Sequence, residues 1–507
     1  MEKEKRNPDK LHDEERLVDM LRKYAASEAY PFHMPGHKRI DPGEELKDFA
    51  PAFQLDITEI DGFDELYHPQ GILKKARDNA AAYYGTKATF FCVNGSTGAL
   101  HTAIASVWNG KDPLLIARNC HKAVYNGISL LGQGDTKLRY LVPEYLENYG
   151  IWGAILPEDV EKALSQGPVG AVILTSPTYD GVISDIKAIA EITHRYKVPL
   201  IVDEAHGAYF GVQKELPQSA ANLGADLVVQ SLHKTLPALT QTALLHVNSD
   251  RINEDTVAKK LEMLQTSSPS YLLMANMDAC IRLLQTRGEA LGKYLIACHR
   301  KILEAGKNLH HIRIAQEADK GHAYGMEPGK ILLSVKGTDR DGTWLYRQLV
   351  DRYALQPEMA SHSYALLMLT VMDREEGIKR LISALQELDR ECGEMTGEKK
   401  DLFVHSEEAE DLPLQWCGMK TAQEREAEII PLDKACGHIA ARFVYLYPPG
   451  APILVPGEKI SEREIGLLQQ SLSMGLHVQG LEQENTGIAV LVQEEEELPK
   501  AQGFAGI

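Results

Sequence analysis

Two short stretches of the chain carry residue types that chemistry on an amino group would need. Asp203 ends the apolar run 198–202, and Lys234 follows the apolar run 227–229. Runs of this kind, bounded by polar turns, are typical of buried parallel strands. Because the carboxyl ends of such strands meet at one edge of the sheet, we expect both side chains at the same site. A lysine that holds an aldehyde as a Schiff base and a carboxylate that keeps a pyridine nitrogen protonated suit pyridoxal phosphate.

Hydroxyl and imidazole groups near these two residues are suited to hold a phosphate. Ser231 and His233 alternate along a stretch predicted to be extended, so their side chains share one face. Ser96 and Thr97 lie in the turn Asn94-Gly-Ser-Thr-Gly98, between a predicted strand and a predicted helix, where N–H groups and the helix dipole favour an anion. Taken alone, each has a simpler interpretation as a helix cap or a surface residue. Their combination with the lysine favours a cofactor site.

Several other residues have both a functional and a structural interpretation. His121 follows the apolar run 114–117 and begins a predicted helix, so its ring would lie over a planar cofactor or would cap the helix. His206 follows the same predicted strand as the aspartate and would either pack or relay a hydrogen bond. Thr266 and Ser267 precede an apolar helix, where hydroxyl groups are also common caps. The pattern of residues leaves these alternatives open.

The composition disfavours several classes of function. The chain has 507 residues, of which 44% are hydrophobic and 25% charged, as in ordinary soluble globular proteins. Its net charge of −18 disfavours nucleic acids and anionic membranes as partners. The 7 scattered cysteines form no CxxC pattern, so neither a metal site nor a disulfide framework is expected, and the cytoplasm is the expected location. The charged amino terminus and the absence of a long apolar run predict neither a signal peptide nor a membrane span.

The elements that would position these residues alternate between strand and helix. Over residues 88–247, short apolar runs alternate with amphipathic segments, which predicts an α/β fold with a doubly wound, mainly parallel sheet. The later pattern of long helices and few strands predicts smaller α+β domains toward the carboxyl terminus. An amphipathic helix is predicted over 9–29, a charged linker over 394–411 and a solvated acidic end over 494–497. The predicted parts are an N-terminal arm and helix, a large cofactor-binding domain, a small α+β domain and a C-terminal domain, over residues 1–70, 71–290, 291–395 and 412–507.

Taken together, the motifs resemble the pyridoxal phosphate-dependent decarboxylases of ornithine, lysine and arginine, which have the aspartate-aminotransferase fold (fold type I). The resemblance covers nearly the whole chain, and the order and spacing of the motifs make it specific. The motifs are Pro35-Gly-His37, Asn94-Gly-Ser-Thr-Gly98, Arg118-Asn-Cys-His-Lys122, Pro177-Thr-Tyr-Asp-Gly181, Asp203-Glu-Ala-His206, Ser231-Leu-His-Lys234, Thr266-Ser-Ser-Pro-Ser270, and Tyr447-Pro-Pro-Gly450 with Pro456-Gly-Glu458. The chain looks like the shorter, biosynthetic-type members of this family.

The resemblance implies a role for each candidate residue. Lys234 would carry the cofactor, Asp203 would pair with its pyridine nitrogen, and His121 would stack on its ring. The other residues implied to bind the cofactor are Ser96, Thr97, His206, Ser231 and His233. Thr266 and Ser267 would reach the cofactor of a neighbouring subunit, which implies a homodimer with shared active sites and leaves a higher oligomer open.

The implied reaction is the loss of CO₂ from a basic amino acid in polyamine metabolism, with arginine or lysine favoured over ornithine. The distal cation of such a substrate needs a carboxylate, because a buried charge must be paired. The candidates for substrate binding are Glu358 first, then Asp64, and also Asp56, Glu65 and the imidazole of His37. The choice among the three substrates exceeds what these residues indicate.

Two other classes of protein compete with this interpretation. The first is a pyridoxal phosphate-dependent aminotransferase or aldolase of the same fold. An aminotransferase usually holds the substrate α-carboxylate with an arginine, and no such arginine is identified in the sequence. The second is a non-catalytic binding protein with the same fold, against which the presence of both Lys234 and Asp203 speaks.

Overall fold

The structure of the protein is a computed structural model that describes residues 15–133, 135–136, 138–316, 319–394 and 412–492. The chain divides into two compact units. The first comprises Met1–Ser106 and Ile201–Tyr294, and the second comprises Val107–Leu200 and Leu295–Ile507. The acidic run at 494–497, almost all of the predicted linker at 394–411 and the beginning of the predicted helix at 9–29 lie outside the described residues.

The first unit contains four adjacent strands that end close to the predicted cofactor residues. In order across the sheet they are Ala88–Cys92, Ala243–Val247, Leu227–Ser231 and Leu200–Asp203. Leu245 pairs antiparallel with Phe90 on one side and with Val229 on the other. Val202 pairs in parallel with Val228. All residues of the last three strands are buried, which explains why their sequences are almost continuously apolar.

The helices that begin in the first unit have recognisable end signals. The side chain of Asn253 accepts the N–H of Thr256 at 3.0 Å and so caps one helix, while Gly85, at φ 72°, ends another. The α-helices are Leu17–Ala25, Ala50–Phe53, Ile72–Tyr84, Gly95–Val107, Leu232–Thr235, Glu254–Leu264 and Tyr271–Gly306, and the short 3₁₀ turns are Lys47–Phe49 and Ala220–Asn222.

The second unit begins with strands and helices in alternation. Leu114–Ala117 lies between two parallel neighbours, Leu138–Leu141 and Val172–Thr175. The helices of this part are Lys122–Leu131, Pro157–Ser165 and Ile186–Arg195. Parallel neighbours need a crossover connection, and these helices supply it. Short antiparallel pairs join Tyr145–Leu146 to Ile151–Trp152 and Val182–Ile183 to Gly325–Met326.

A smaller α+β region of the second unit follows the long helix. Its four antiparallel strands are, in order across the sheet, Arg313–Ile314, Lys330–Ser334, Tyr364–Met368 and Met359–Ala360. The helices Gly342–Tyr353 and Glu375–Asp389 belong to the same region. Leu333, Leu345 and Leu385 are buried in one apolar cluster, which holds the sheet and both helices together.

The described residues 412–492 of the second unit form two small antiparallel sheets around an apolar cluster. The first sheet contains, in order, Ala427–Pro431, Gly487–Leu491 and Leu481–Glu482, and the second contains Pro452–Leu454, Val444–Leu446 and Val478–Gln479. The helices are Met419–Glu424 and Glu462–Ser473, with a 3₁₀ turn at Leu432–Lys434. Ser461 and Glu464 form a reciprocal capping box at the start of the longer helix.

The predicted fold class, an α/β fold with a mostly parallel sheet, is confirmed. The apolar helix predicted after Thr266 and Ser267 is Tyr271–Gly306, a single helix of 36 residues. The polar stretch around Arg287 interrupts its apolar pattern but does not end the helix. Among the described residues, none of the helices combines the length and the apolar character that crossing a membrane requires.

Candidate active site

Lys234 and Asp203 belong to adjacent strand ends of the first unit. Lys234 lies in the short helix Leu232–Thr235, directly after the strand that ends at Ser231. The extended conformation predicted through His233 is therefore wrong, because His233 belongs to this helix. The Nζ atom of Lys234 is 3.2 Å from Nε2 of His206. Asp203 is the last residue of the neighbouring parallel strand, and its Oδ1 accepts the N–H of Ala205 at 3.1 Å. The structure therefore brings the lysine and His206 into direct contact beside a buried carboxyl group.

Burial dominates the electrostatics of Asp203. The side chain is almost completely enclosed, and this burial raises the pKa of its carboxyl group. The positive charge of Lys234 and the N–H of Ala205 act in the opposite direction without cancelling it. A carboxylate in this position gains from a protonated nitrogen opposite it, because such a partner offsets the lost hydration.

Two hydroxyl groups near Lys234 are consistent with a phosphate-binding site. The Oγ atom of Ser231 and the Oγ1 atom of Thr235 are buried and have no hydrogen-bond partner among the described residues. A buried hydroxyl without a partner costs free energy, so such groups mark places where a ligand supplies the missing oxygen. The two atoms fit a cofactor that carries a phosphate.

His233 is held in one tautomer. Its Nδ1 atom lies 3.0 Å from the carbonyl oxygen of Thr242 and must carry the proton, because a carbonyl only accepts. Burial lowers the pKa of His233, the Thr242 hydrogen bond raises it, and the charge of Lys234 lowers it further. In the neutral ring Nε2 is an acceptor, so His233 would contact a phosphate as the imidazolium that the anion itself favours.

Ser96 and Thr97 lie in the first turn of the helix Gly95–Val107, which begins within the predicted turn Asn94–Gly98 and not after it. Gly95 has φ 68°, and its N–H donates to the carbonyl of Gln241 at 2.9 Å. Ser96 is half-buried and Thr97 is exposed. Their roles in phosphate binding stay predictions, supported by their place at a helix N-terminus.

Thr266 and Ser267 are exposed in the first unit. Oγ1 of Thr266 accepts the N–H of Ser268 at 3.2 Å, which is a local turn contact. Both residues are exposed, and their role at a neighbouring subunit stays a prediction.

Asp64 and His37 have local partners in the first unit. The carboxylate of Asp64 accepts the backbone N–H groups of Gln70 at 2.8 Å and Gly71 at 2.6 Å, next to the start of the helix Ile72–Tyr84. Burial alone would raise the pKa of Asp64, but these N–H groups lower it overall. His37 stacks on Phe53 with ring centroids 4.5 Å apart. These contacts give both residues a structural role, and their role in substrate binding stays a prediction.

His121 and Glu358 belong to the second unit. His121 is the N-cap of the helix Lys122–Leu131, and its Nδ1 atom accepts the N–H of Ala123 at 3.1 Å. Glu358 accepts a hydrogen bond from the Tyr179 hydroxyl at 2.5 Å. Glu358 also lines a cavity of about 310 Å³ together with Asp180 and Tyr447.

Comparison with known proteins identifies the family of the chain. The model described as "Orn/Lys/Arg decarboxylase, major domain" matches residues 16–347, and the model of the corresponding C-terminal domain matches residues 400–499. The chain is 32% identical over 489 residues to the arginine decarboxylase of Bacillus subtilis (strain 168), covering 94% of this chain and 98% of that protein. It is 34% identical over 475 residues to the arginine decarboxylase of Bacillus anthracis, covering 92% of this chain and 94% of that protein.

The chain belongs to the Orn/Lys/Arg decarboxylase family. As a member of this family it is an enzyme that decarboxylates a basic amino acid with pyridoxal phosphate as cofactor, and the predicted family, activity and cofactor are confirmed.

Solved structures agree with the fold of this Orn/Lys/Arg decarboxylase. The lysine decarboxylase of Francisella novicida superposes with a TM-score of 0.78 at 20% identity, covering 94% of this chain and 81% of that chain. A serine palmitoyltransferase of Sphingomonas wittichii gives a TM-score of 0.50 at 14% identity, covering 63% of this chain and 76% of that chain. At these identities the similarity concerns the fold, which is the fold type I expected from the motifs.

A buried carboxyl group next to Asp203 is absent from the sequence-based predictions. Glu204 accepts hydrogen bonds from the hydroxyl of Ser219, the N–H of Ala220 and the amide of Gln230, each at 2.6 Å. Burial raises the pKa of Glu204 to about 7, although all three donors act to lower it. The decarboxylase thus has a second titratable group, at the residue that follows its predicted catalytic aspartate.

The same network continues into the antiparallel strands. Oε1 of Gln230 is 3.1 Å from Nε2 of His246, and Nδ1 of His246 is 2.9 Å from Oγ1 of Thr89. In the sequence, this hydrogen-bond network is indicated by polar residues within the apolar runs that form the strands. Their pairing depends on strand register, which the runs alone do not specify.

Proposed function

We propose that this family member decarboxylates arginine in preference to lysine and ornithine. The observation that supports decarboxylation at this site is the contact of Lys234 with His206 beside the buried carboxyl group of Asp203. The preference for arginine is supported by the two similar arginine decarboxylases, which match this chain over nearly their whole lengths.

Each residue of the proposed site has a distinct task. Pyridoxal phosphate, when bound, supplies a conjugated ring that accepts the electron pair left by the departing carboxylate. Lys234 provides the amine that binds the cofactor aldehyde, and His206, at 3.2 Å, can accept a proton from Nζ. Asp203 would hold a proton on the ring nitrogen, and the family resemblance implies that His121 would provide a flat surface for the ring.

The proposed phosphate site combines neutral donors with one titratable ring. Ser231 and Thr235 offer buried hydroxyl groups that lack partners among the described residues. His233 adds a positive charge when it is protonated, and Ser96 and Thr97 add donors at a helix N-terminus. A phosphate held in this way restrains one end of the cofactor and so orients its ring.

Glu358 is the proposed partner of the distal cation of the substrate. The cavity that it lines contains a second carboxyl group, Asp180, which is buried and accepts the Tyr364 hydroxyl at 2.6 Å. Burial raises the pKa of Asp180, whereas Tyr364 and Lys330 lower it. The more exposed Glu358 has a smaller desolvation penalty for its charge, and a carboxylate can pair with a guanidinium through both of its oxygens. The cavity wall also includes Tyr447, close in sequence to the loop that contacts His121.

The proposal is tested by incubating the purified protein and pyridoxal phosphate with arginine, lysine or ornithine. The expected products are CO₂ and the corresponding amine, with the highest kcat/KM for arginine and no requirement for a keto acid. Lys234→Ala is expected to abolish both the product and the visible absorbance band of the bound cofactor.

Other results would contradict parts of the proposal. Product formed only with an added keto acid would indicate an aminotransferase, and a higher kcat/KM for lysine or ornithine would overturn the substrate preference. A protein that binds pyridoxal phosphate but consumes none of the three amino acids would indicate a binding protein.

We also propose that the enzyme acts as a cytoplasmic homodimer in polyamine metabolism, with active sites shared between subunits. The exposure of Thr266 and Ser267 supports this arrangement, since both are available to a second copy of the chain. Mixing Lys234→Ala with a Thr266→Val/Ser267→Ala variant is expected to restore activity, because one of the mixed sites is then complete. Mixtures that show no recovery after subunit exchange would argue against shared sites.

A further inference from the structure

The ring of His121 is held in one orientation by its own helix. The N–H of Ala123 donates to Nδ1 of His121 at 3.1 Å, and His121 caps the helix in this way. A nitrogen that accepts an N–H carries no proton, so the ring is the neutral tautomer with its hydrogen on Nε2. The helix cap therefore determines that Nε2, and not Nδ1, is the nitrogen of His121 that carries the hydrogen.

Gly450 lies against the opposite side of the same ring. It has φ 82°, a left-handed conformation that favours glycine, and its carbonyl accepts the N–H of Lys122 at 2.9 Å. A Cβ atom at this position would lie 3.0 Å from both Cδ2 and Nε2 of His121. That separation is shorter than an ordinary van der Waals contact, so the ring would have to move by a few tenths of an ångström.

The segment around Gly450 is anchored on both sides of this contact. Before it, Tyr445 holds the side chain of Lys122, with Nζ 2.7 Å from its hydroxyl oxygen. After it, the guanidinium of Arg118 donates to the carbonyl of Pro452 at 2.7 Å and to that of Ile453 at 3.0 Å. Because the segment around Gly450 is fixed on both sides, it cannot easily move away from an added side chain. The His121 ring would therefore move instead.

We propose that Gly450 is a positioning residue that sets the place of the His121 imidazole ring. The absence of a side chain at Gly450 lets the ring sit within van der Waals distance of the backbone, while the cap to Ala123 fixes the tautomer. The importance of this placement for catalysis rests on the proposed function, in which His121 contacts the cofactor. The placement itself does not depend on the cofactor.

The test compares alanine at two glycines of the same region. Gly450 has φ 82° and Gly437 has φ 86°, so alanine meets a similar backbone cost at both, but a Cβ at Gly437 would have nothing within 4 Å. In cofactor-free protein with isotope-labelled histidine rings, Gly450→Ala is expected to shift the His121 signals, which are identified by their loss in His121→Gln. Gly437→Ala is expected to leave them unchanged.

The loaded enzyme provides a second measurement. Gly450→Ala is expected to lower kcat by about tenfold or more, with KM for arginine changed by less than about threefold, because the interaction acts on the reacting groups. Gly437→Ala is expected to keep the kcat of the unmodified enzyme. If the alanine variant of Gly450 does not fold, Gly450→Asn and Gly437→Asn replace the pair, since asparagine tolerates a left-handed backbone and still carries a Cβ.

Unshifted His121 signals in a folded Gly450 variant would overturn the proposal, as would equal losses of kcat in the two glycine variants. If the unmodified enzyme decarboxylates none of the basic amino acids, the proposed function fails. The ring signals still decide the role of Gly450 in that case.

Discussion

The oxygen atoms of Ser231 and Thr235 are buried without a partner among the described residues, whereas the carboxyl group of Asp203 is buried beside a lysine. Such groups reduce stability unless a ligand satisfies them. At the scale of single residues, these groups are consistent with the proposed cofactor site, in which a ligand would bring acceptor oxygens to the hydroxyl groups and a protonated nitrogen to the carboxylate. Pyridoxal phosphate has both features.

Replacing Asp203 with asparagine tests whether this residue is needed for turnover and not for binding of the cofactor. An amide has nearly the same shape but cannot stabilise a positive charge on the ring nitrogen, so we expect the cofactor to be retained and kcat to fall on the order of a hundredfold or more. Absorbance of the bound cofactor and steady-state kinetics measure the two effects. Asp185→Asn is the control, because Asp185 caps the helix Ile186–Arg195 and asparagine caps equally well. A kcat close to that of the unmodified enzyme in Asp203→Asn would refute this role.

Replacing Glu358 with glutamine removes a charge but keeps the Tyr179 hydrogen bond. We expect kcat/KM for arginine to fall by about tenfold or more, mainly through KM, because a charge-assisted hydrogen bond to the guanidinium is lost. Glu387 offers a matched control, since it accepts a hydrogen bond from the Tyr353 hydroxyl at 2.8 Å on an exposed surface. Equal kinetics for Glu358→Gln and Glu387→Gln would exclude Glu358 from substrate binding.

At the scale of elements, local patterns predicted some segments fully and others in part. The strand Leu114–Ala117 has the bounds expected from its apolar run. The direction of Ala243–Val247 and its register against Leu227–Ser231 depend on contacts between distant residues, so the alternating pattern could not supply them. The hydrogen bonds of Asp64 to the N–H groups of Gln70 and Gly71 could not be predicted either, because backbone N–H groups that turn toward a side chain leave no trace in residue type.

Glu204, directly after the strand Leu200–Asp203, is a group whose titration should affect the free energy of unfolding. Burial raises the pKa of Glu204 from 4.5 in an exposed chain to about 7 in the folded protein. Between these values the folded state binds more protons than the unfolded state, so the contribution of Glu204 to stability decreases as pH rises. We expect the free energy of unfolding to fall across this interval and to fall less steeply in Glu204→Gln. Urea unfolding at pH values below, within and above the interval measures both slopes, and identical slopes would contradict the assignment.

At the scale of the whole molecule, a buried ion pair joins residues that are 340 positions apart in the sequence. Nη2 of Arg118 is 3.3 Å from Oε2 of Glu458, and both side chains are almost completely buried. The carboxylate also accepts the Tyr140 hydroxyl at 3.2 Å and the N–H of Val455 at 2.8 Å. This ion pair therefore links the segments matched by the two family models, and burial keeps water away from both charges.

A double-mutant cycle should reveal strong coupling in this pair. We expect Arg118→Met or Glu458→Gln alone to cost about 3–5 kcal/mol, because each leaves a buried charge without its partner. The double variant should cost less than the sum by about 1–3 kcal/mol. The exposed pair Arg352 and Glu391, at 2.8 Å, is the control and should couple by less than about 1 kcal/mol. Chemical unfolding measures all variants, and additive costs for the buried pair would contradict its importance.

The Arg118–Glu458 pair has a practical consequence for chimeras and truncations. A fragment that ends before Glu458 retains a guanidinium whose counter-ion has been removed, and hydrophobic packing alone cannot compensate for it. Exchange of C-terminal domains between related decarboxylases should therefore succeed only when the donor brings an acid to the same place. A shortened gene product that lacks it should accumulate as aggregate rather than as a free-standing domain.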